Sequence, residues 1–285
     1  MGLFDWLDTK PKMPTLDQAF KQQCLLNKSA AENGDPVAQF NYGSACLSGE
    51  HVSKDEALGI YWLKKSAHQG NFDAQVTLGK AIALGRFGLT NNHESAIELL
   101  LAAVDQNHDG ADRVRIIKIK SATRMLGYLY AKNLGIEKYS QKVKKLLLID
   151  NESIPSLYYL GCIYLNDSNQ DASALSKSAT YFAKMVEADF RNTEELSRGS
   201  NGTRIEASYS DEAGDPIELE GCLKLLMDAG KNGNSDAQFS LGLIFLSGWR
   251  GFDVDIETAT DLISSSANLG HPTAIALMNR RNQST

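Results

Sequence analysis

Between Gly34 and Gly70, small and apolar positions recur at the spacing of two short helices separated by a polar turn. The first helix is expected from Pro36 to about Ser48, with Ala38, Tyr42, Gly43 and Cys46 on one face. Asp35 is placed to cap the first amides, and Pro36 takes the first helical position, where a missing N–H costs nothing. Gly49 suits a left-handed ending. Asp55 then opens a second helix whose Gly59, Trp62, Ser66 and Ala67 share a face, and Gly70 closes it.

The unit repeats. At a shift of 36 residues, Gly34, Ala38 and Gly43 fall on Gly70, Ala74 and Gly79, and the same order returns near the C-terminus as Gly233, Ala237, Gly242, Phe245, Gly248, Asp255, Ala259, Ala267 and Gly270. A period of this length is the mark of a solenoid built from one supersecondary unit. The frame divides the chain into an N-terminal arm, 1–14, and a single domain, 15–285. Its repeats are expected at 34–70, 71–107, 108–154, 155–190, 191–233 and 234–270, with a C-terminal helix at 271–283. The fifth is degenerate: EELSRG reads as its first helix, and 198–216 as a mobile polar loop with room for short strands. The third carries an insertion of roughly three helical turns before its frame resumes at Ala122. Val114, Ile116, Ile117 and Ile119 are too apolar for a solvated loop, so the insertion is expected to extend the first helix back to about Ala111.

Ala38, Tyr42-Gly43, Gly49, Val52, Asp55, Gly59, Trp62, Ser66-Ala67 and Gly70 together resemble the Sel-one-like repeat family, relatives of the tetratricopeptide repeats. Cys46, His51 and Gly59 depart from it, standing where the family prefers Tyr, Gly and Ala. The resemblance implies an all-α, right-handed α/α superhelix of about five to six helix-turn-helix repeats with capping helices. It also implies a non-catalytic scaffold or adaptor that holds a partner protein on its concave face. An inhibitor or immunity protein for a toxin or secreted effector is the alternative, and a hydrolase, an activity credited to some relatives, comes third.

Composition narrows the chemistry. With 29 basic and 35 acidic side chains the net charge is −6, which gives no general attraction to nucleic acid or an anionic membrane. Cys24, Cys46, Cys162 and Cys222 follow no repeat spacing and read as thiols rather than disulfides. His51, His68, His93, His108 and His271 fall at or near expected turns, read as solvated, and form no metal spacing. No Walker or Rossmann loop and no nucleophile–base motif is present, so no catalytic, cofactor or metal site is expected. No apolar run approaches a membrane span and no leader pattern is visible, which together suggest a cytoplasmic protein. The opening MGLFDWL is expected to fold over the first helices as a cap, or else to be offered to a partner or a membrane surface.

Two features point to a binding surface. On the leading helices, Phe40, Val76, Arg124, Tyr158 and Phe239 occupy one outward register and Ser44, Lys80, Tyr128, Cys162 and Leu243 the adjacent one, a ladder along the concave wall unless the apolar members pack between repeats. Charge is also segregated: 113–145 holds ten basic residues and one acidic, against 20 acidic and ten basic in 150–285. Lys118, Lys120 and Lys144 therefore mark a docking edge for an acidic protein surface, foreign or the C-terminal half of a second copy in a homodimer.

Overall fold

The computed structural model describes residues 15–106, 112–132, 139–167, 172–199, 210–211, 213–214, 217, 220–249 and 252–283. Among these lie thirteen α-helices: α1 (Leu16–Glu32), α2 (Pro36–Ser48), α3 (Glu56–His68), α4 (Phe72–Ala83), α5 (His93–Val104), α6 (Arg113–Ala131), α7 (Ser140–Leu147), α8 (Ile154–Asp167), α9 (Ala172–Gly199), α10 (Glu220–Lys231), α11 (Ser235–Ser247), α12 (Ile256–Asn268) and α13 (Pro272–Gln283). The fold class is an all-α solenoid of helical repeats. Two compact units divide within α6, one ending at Ala122 and the other starting at Thr123.

The helices start where the sequence supplies caps. Asp35 accepts from the amides of Val37 and Ala38, Asn71 from Ala74 and Asn234 from Ala237, so the same orphan donors are satisfied in three leading helices. Asp55, Asn92 and Asp255 do this for α3, α5 and α12. Gly49 and Gly248 end α2 and α11 in the left-handed conformation, with φ of 77° and 62°.

Paired helices then come within backbone distance. A Cβ on Gly43 would stand 3.0 Å from the Gly59 carbonyl oxygen and 3.1 Å from Trp62 Cβ. In the first unit Ala31, Ala38, Tyr42, Cys46 and Trp62 fill one core cluster. In the second, Leu157, Phe182, Val186, Leu226, Ala237 and Ile244 belong to the main cluster.

A polar latch accompanies each strong repeat. Gln39 Nε2 donates to the Ala31 carbonyl, Gln75 to Ala67 and Gln238 to Gly230, each adding a second donor to a last-turn carbonyl of the preceding helix that already accepts from the glycine amide three residues on. A second glutamine closes the amide oxygen: Gln69 donates to Gln39 Oε1 at 2.7 Å and Gln106 to Gln75 Oε1 at 2.9 Å. The buried hydroxyls of Ser66 and Ser266 donate to the carbonyls of Pro36 and Ser235, tying the second helix of a pair to the start of the first. In the last repeat the outer glutamine is replaced by Leu269, which is 52% exposed, and Gln238 Oε1 is buried without a partner.

Two expectations are overturned, a separate EELSRG helix and a solvated His271. The insertion is helical, and α6 runs for 19 residues, although it starts at Arg113 and leaves Val114, Ile116 and Ile117 exposed. EELSRG is not a separate helix: α9 continues unbroken to Gly199 for 28 residues, because nothing between Val186 and Arg198 stops it, neither proline nor glycine. The segment 198–216 lies mostly outside the described residues, as does the 1–14 arm. His271 is buried rather than solvated. The four cysteines are free, Cys46 and Cys222 buried.

Two substitutions test this packing. Gly43→Leu should destabilise by about 1–3 kcal/mol or more, since the side chain must displace backbone; an unchanged urea midpoint would contradict the close approach. Leu269→Gln should restore the missing donor to Gln238 and raise stability by about 1 kcal/mol, measured by urea unfolding against Leu269→Ala as the control for losing the exposed side chain.

Candidate protein-binding groove

In the first unit, α2, α4, the α4–α5 turn and the first half of α6 enclose an open groove of about 370 Å³. Its floor and walls are Phe40 from α2, Val76, Thr77 and Ala81 from α4, and Phe87 from the turn. Asp73, Val76, Thr77 and Lys80 reach it because they recur at three-, four- and seven-residue spacing on one face of α4. Phe87 holds φ at 55°, a left-handed conformation uncommon for an aromatic residue, at the edge of the groove.

The far wall is α6, fixed to the rest of the unit through Arg115, Lys118 and Ser121. Arg115 lies over the Phe72 ring at 4.4 Å and donates to Gln106 Oε1. Lys118 Nζ pairs with Asp73 at 2.6 Å, and Lys80 Nζ donates to Ser121 Oγ at 2.8 Å. Arg86 sits on the turn, exposed. The groove lining therefore carries Lys80, Arg86 and Lys118 against the single carboxylate of Asp73.

Of the residues singled out from the sequence, Phe40, Val76, Lys80 and Lys118 meet in this groove. The others do not. Ser44 and Lys120 are half-buried outside it. Arg124 pairs with the buried Asp150 at 3.3 Å, and Tyr128 lies under Lys132. Tyr158 packs against the core of the second unit beside Phe182. Phe239 and Leu243 are 2% and 7% exposed, packed with Ile263 and Ala274, so they are inter-helix core and not a partner surface. Lys144 is likewise withdrawn, 6% exposed with its ammonium 4.7 Å from the Tyr164 ring centroid. The sequence reading missed Arg86 and Phe87; the GRFG turn carried a signal, a cation and an aromatic held between two glycines.

The helix pairs α2–α3, α4–α5 and α11–α12, which share the caps and glutamine latches, are the stretches that a family model described as Sel1 repeat matches, at residues 36–71, 73–108 and 235–271. The chain carries Sel1 repeats. Such repeats generally mediate protein-protein interaction. Among solved structures, the chain is similar to a protective antigen present in uropathogenic Escherichia coli strains that displays an SLR fold, at 24% identity over 90% of this chain and 50% of that one, with a TM-score of 0.46. It is also similar to a Sel1 repeat protein from Oxalobacter formigenes, at 19% identity over 89% of this chain and 97% of that one, with a TM-score of 0.43. The chain thus spans half the length of the first of these. No curated protein matches the sequence. No helix among the described residues is long and apolar enough to cross a membrane.

A second cluster of titratable groups belongs to the last Sel1 repeat. His271 occupies the position of Asp35, Asn71 and Asn234, and its Nδ1 accepts from the Ala274 amide at 3.3 Å. The ring stacks on Phe239, and Nε2 faces Asp236 at 3.7 Å and Glu187 at 3.8 Å. Burial depresses the imidazole, opposed by Asp236. Burial and then Asp236 push the Glu187 carboxyl up to about 7, against the pull of Arg191 and Lys184. Among the described residues no group of three His, Cys, Asp or Glu side chains is arranged to hold a metal ion.

Glu187 binds its proton more tightly folded than unfolded, so its contribution is full below the ordinary carboxyl range and is lost as pH rises through about 7. His271 works in the opposite sense, losing its contribution as pH falls below the ordinary imidazole value. Melting temperature should therefore fall between about pH 6.5 and about pH 8. Glu187→Gln should flatten that fall; an unaltered slope in the variant would assign the pH dependence elsewhere.

Proposed function

We propose that this chain is a non-catalytic protein-protein interaction scaffold whose first unit takes up a segment of a partner protein in the α2–α4–α6 groove. The observation that carries the reading is the convergence of Phe40, Val76, Lys80 and Lys118 from three helices on one open apolar groove with a surplus of positive charge. Apolar walls with a few placed charges give affinity through burial and register through electrostatics. The basic run that suggested a docking edge contributes only its first part here. Arg124 and Lys132 face Asp150 and Asp211 of the same chain, so intramolecular pairing accounts for much of the rest.

A photo-crosslinking amino acid at Thr77, compared with one at the exposed Glu98 of α5, tests the role in cells. The expected outcome is a cross-link to a defined protein from Thr77 alone, lost in the Lys80→Glu/Arg86→Glu double variant and weakened by salt. A Thr77 probe that captures nothing beyond the Glu98 control would reject the groove as the binding surface.

A further inference from the structure

We infer that the exposed stripe along α1 is a seat for the chain's own segment 3–7, which stands there in place of a leading helix. The repeat frame identifies the seat. At a shift of 36 residues α1 falls on α3, with Ala31 on Ala67 and both buried, so α1 has the register of the second helix of a pair. On α3 the face of Gly59, Trp62 and Ser66 lies against α2, and Trp62 is 7% exposed. The matching residues of α1 are Gln23, Leu26 and Ala30, and Leu26 is 54% exposed. Together with Leu16 and Ala19 they recur at alternating three- and four-residue spacing, the stripe that one helix presents to a partner. The side that holds α1 to the first unit is a different one: there Phe20 stacks on His51 at 4.9 Å and Ala31 enters the core cluster.

The stripe's own residues select the occupant. Where α2 brings Gly43 to the Gly59 carbonyl, α1 has Gln23 in the position of Gly59, so nothing can approach to backbone distance and large side chains must reach across. Leu3, Phe4, Trp6 and Leu7 are of that kind, and they precede α1 in the chain as α2 precedes α3. Reach agrees. The linker 8–14 has as many residues as the link 49–55 between α2 and α3, and fully extended it covers roughly 23 Å. The stripe from Leu16 to Ala30 is roughly 21 Å long, so the segment can be set at any level along it. A tether of this length also holds the segment at an effective concentration on the order of millimolar, which a second copy does not match. Two α1 stripes placed face to face would bury only Leu16 and Leu26 from each side as large apolar residues, and would give the four of segment 3–7 nothing to cover them.

Hydrogen exchange on the full chain tests the seat as a double-mutant cycle. Trp6→Ser should speed exchange of the α1 amides between residues 20 and 28 about tenfold, as loss of a buried aromatic contact would. In the Leu26→Asp background the same change should do nothing further. In the background of Leu25→Asp, a residue 60% exposed but off the stripe, its effect should be intact. Additive effects of Trp6→Ser and Leu26→Asp, or α1 exchange indifferent to Trp6→Ser, overturn the inference. A photo-reactive leucine analogue in place of Leu3 gives an independent reading on a mixture of isotopically light and heavy protein. Its cross-link should fall within residues 16–30 of the same chain. A cross-link elsewhere on the chain, or one that joins light to heavy chains and so assigns the stripe to a second copy, overturns the proposal. Flotation with phosphatidylglycerol vesicles that requires Trp6, while α1 exchange does not, overturns it in favour of a membrane surface.

Discussion

The near contact of helix backbones within each pair is the constraint on which the rest of this structure depends. Gly43 meets the Gly59 carbonyl, Gly79 packs on Leu100 and Gly242 on Ile263, each with no room for a Cβ in place. Pairs this close leave little freedom in rotation or translation, because any shift brings backbone against side chain. The consequence is a fixed register, in which a serine on one helix finds the first carbonyl of its partner, and a glutamine finds a last-turn carbonyl of the preceding helix.

The polar latches show what a repeat loses when it is incomplete. Gln39 and Gln75 use both ends of their amides, whereas Gln238 lacks a donor for its oxygen because Leu269 stands where Gln69 and Gln106 stand. After the last repeat, α13 has His271 in place of the usual Asp or Asn cap, bringing a titratable ring against Glu187 and Asp236. The final helix pair and the helix after it therefore depend on protonation in a way the first pairs do not.

The groove uses the same register differently. The long α6 presents Arg115, Lys118 and Ser121 to α4 and α5, and each is anchored by a residue of the first unit. Cations held in this way keep their positions when a ligand arrives, which lowers the ordering cost of binding. Phe87, in its left-handed turn conformation, holds an aromatic face at the rim that a relaxed backbone would not hold.

Local chemistry sufficed for much of this to be read from residue order. Caps such as Asp35 and Asn71, the left-handed endings at Gly49 and Gly248, and the small residues at contact positions are properties of a few neighbouring residues, so the sequence alone determined the helix pairs and their repetition. It also determined that the apolar insertion before Ala122 is helix. Burial and charge pairing were decided only by the tertiary structure. Phe239 and Phe40 share a helical register in the sequence and Leu243 stands in the adjacent one, yet Phe239 and Leu243 are covered by α12 and α13 while Phe40 opens to a groove. Lys118 and Lys144 look alike in a basic run, but one lines the groove and the other lies buried over Tyr164. Arg86 and Phe87 joined the site through a turn whose position depends on two helices packing first. Periodicity states which way a side chain faces; what stands opposite it is set by residues tens of positions away, and that is the information a linear pattern does not hold.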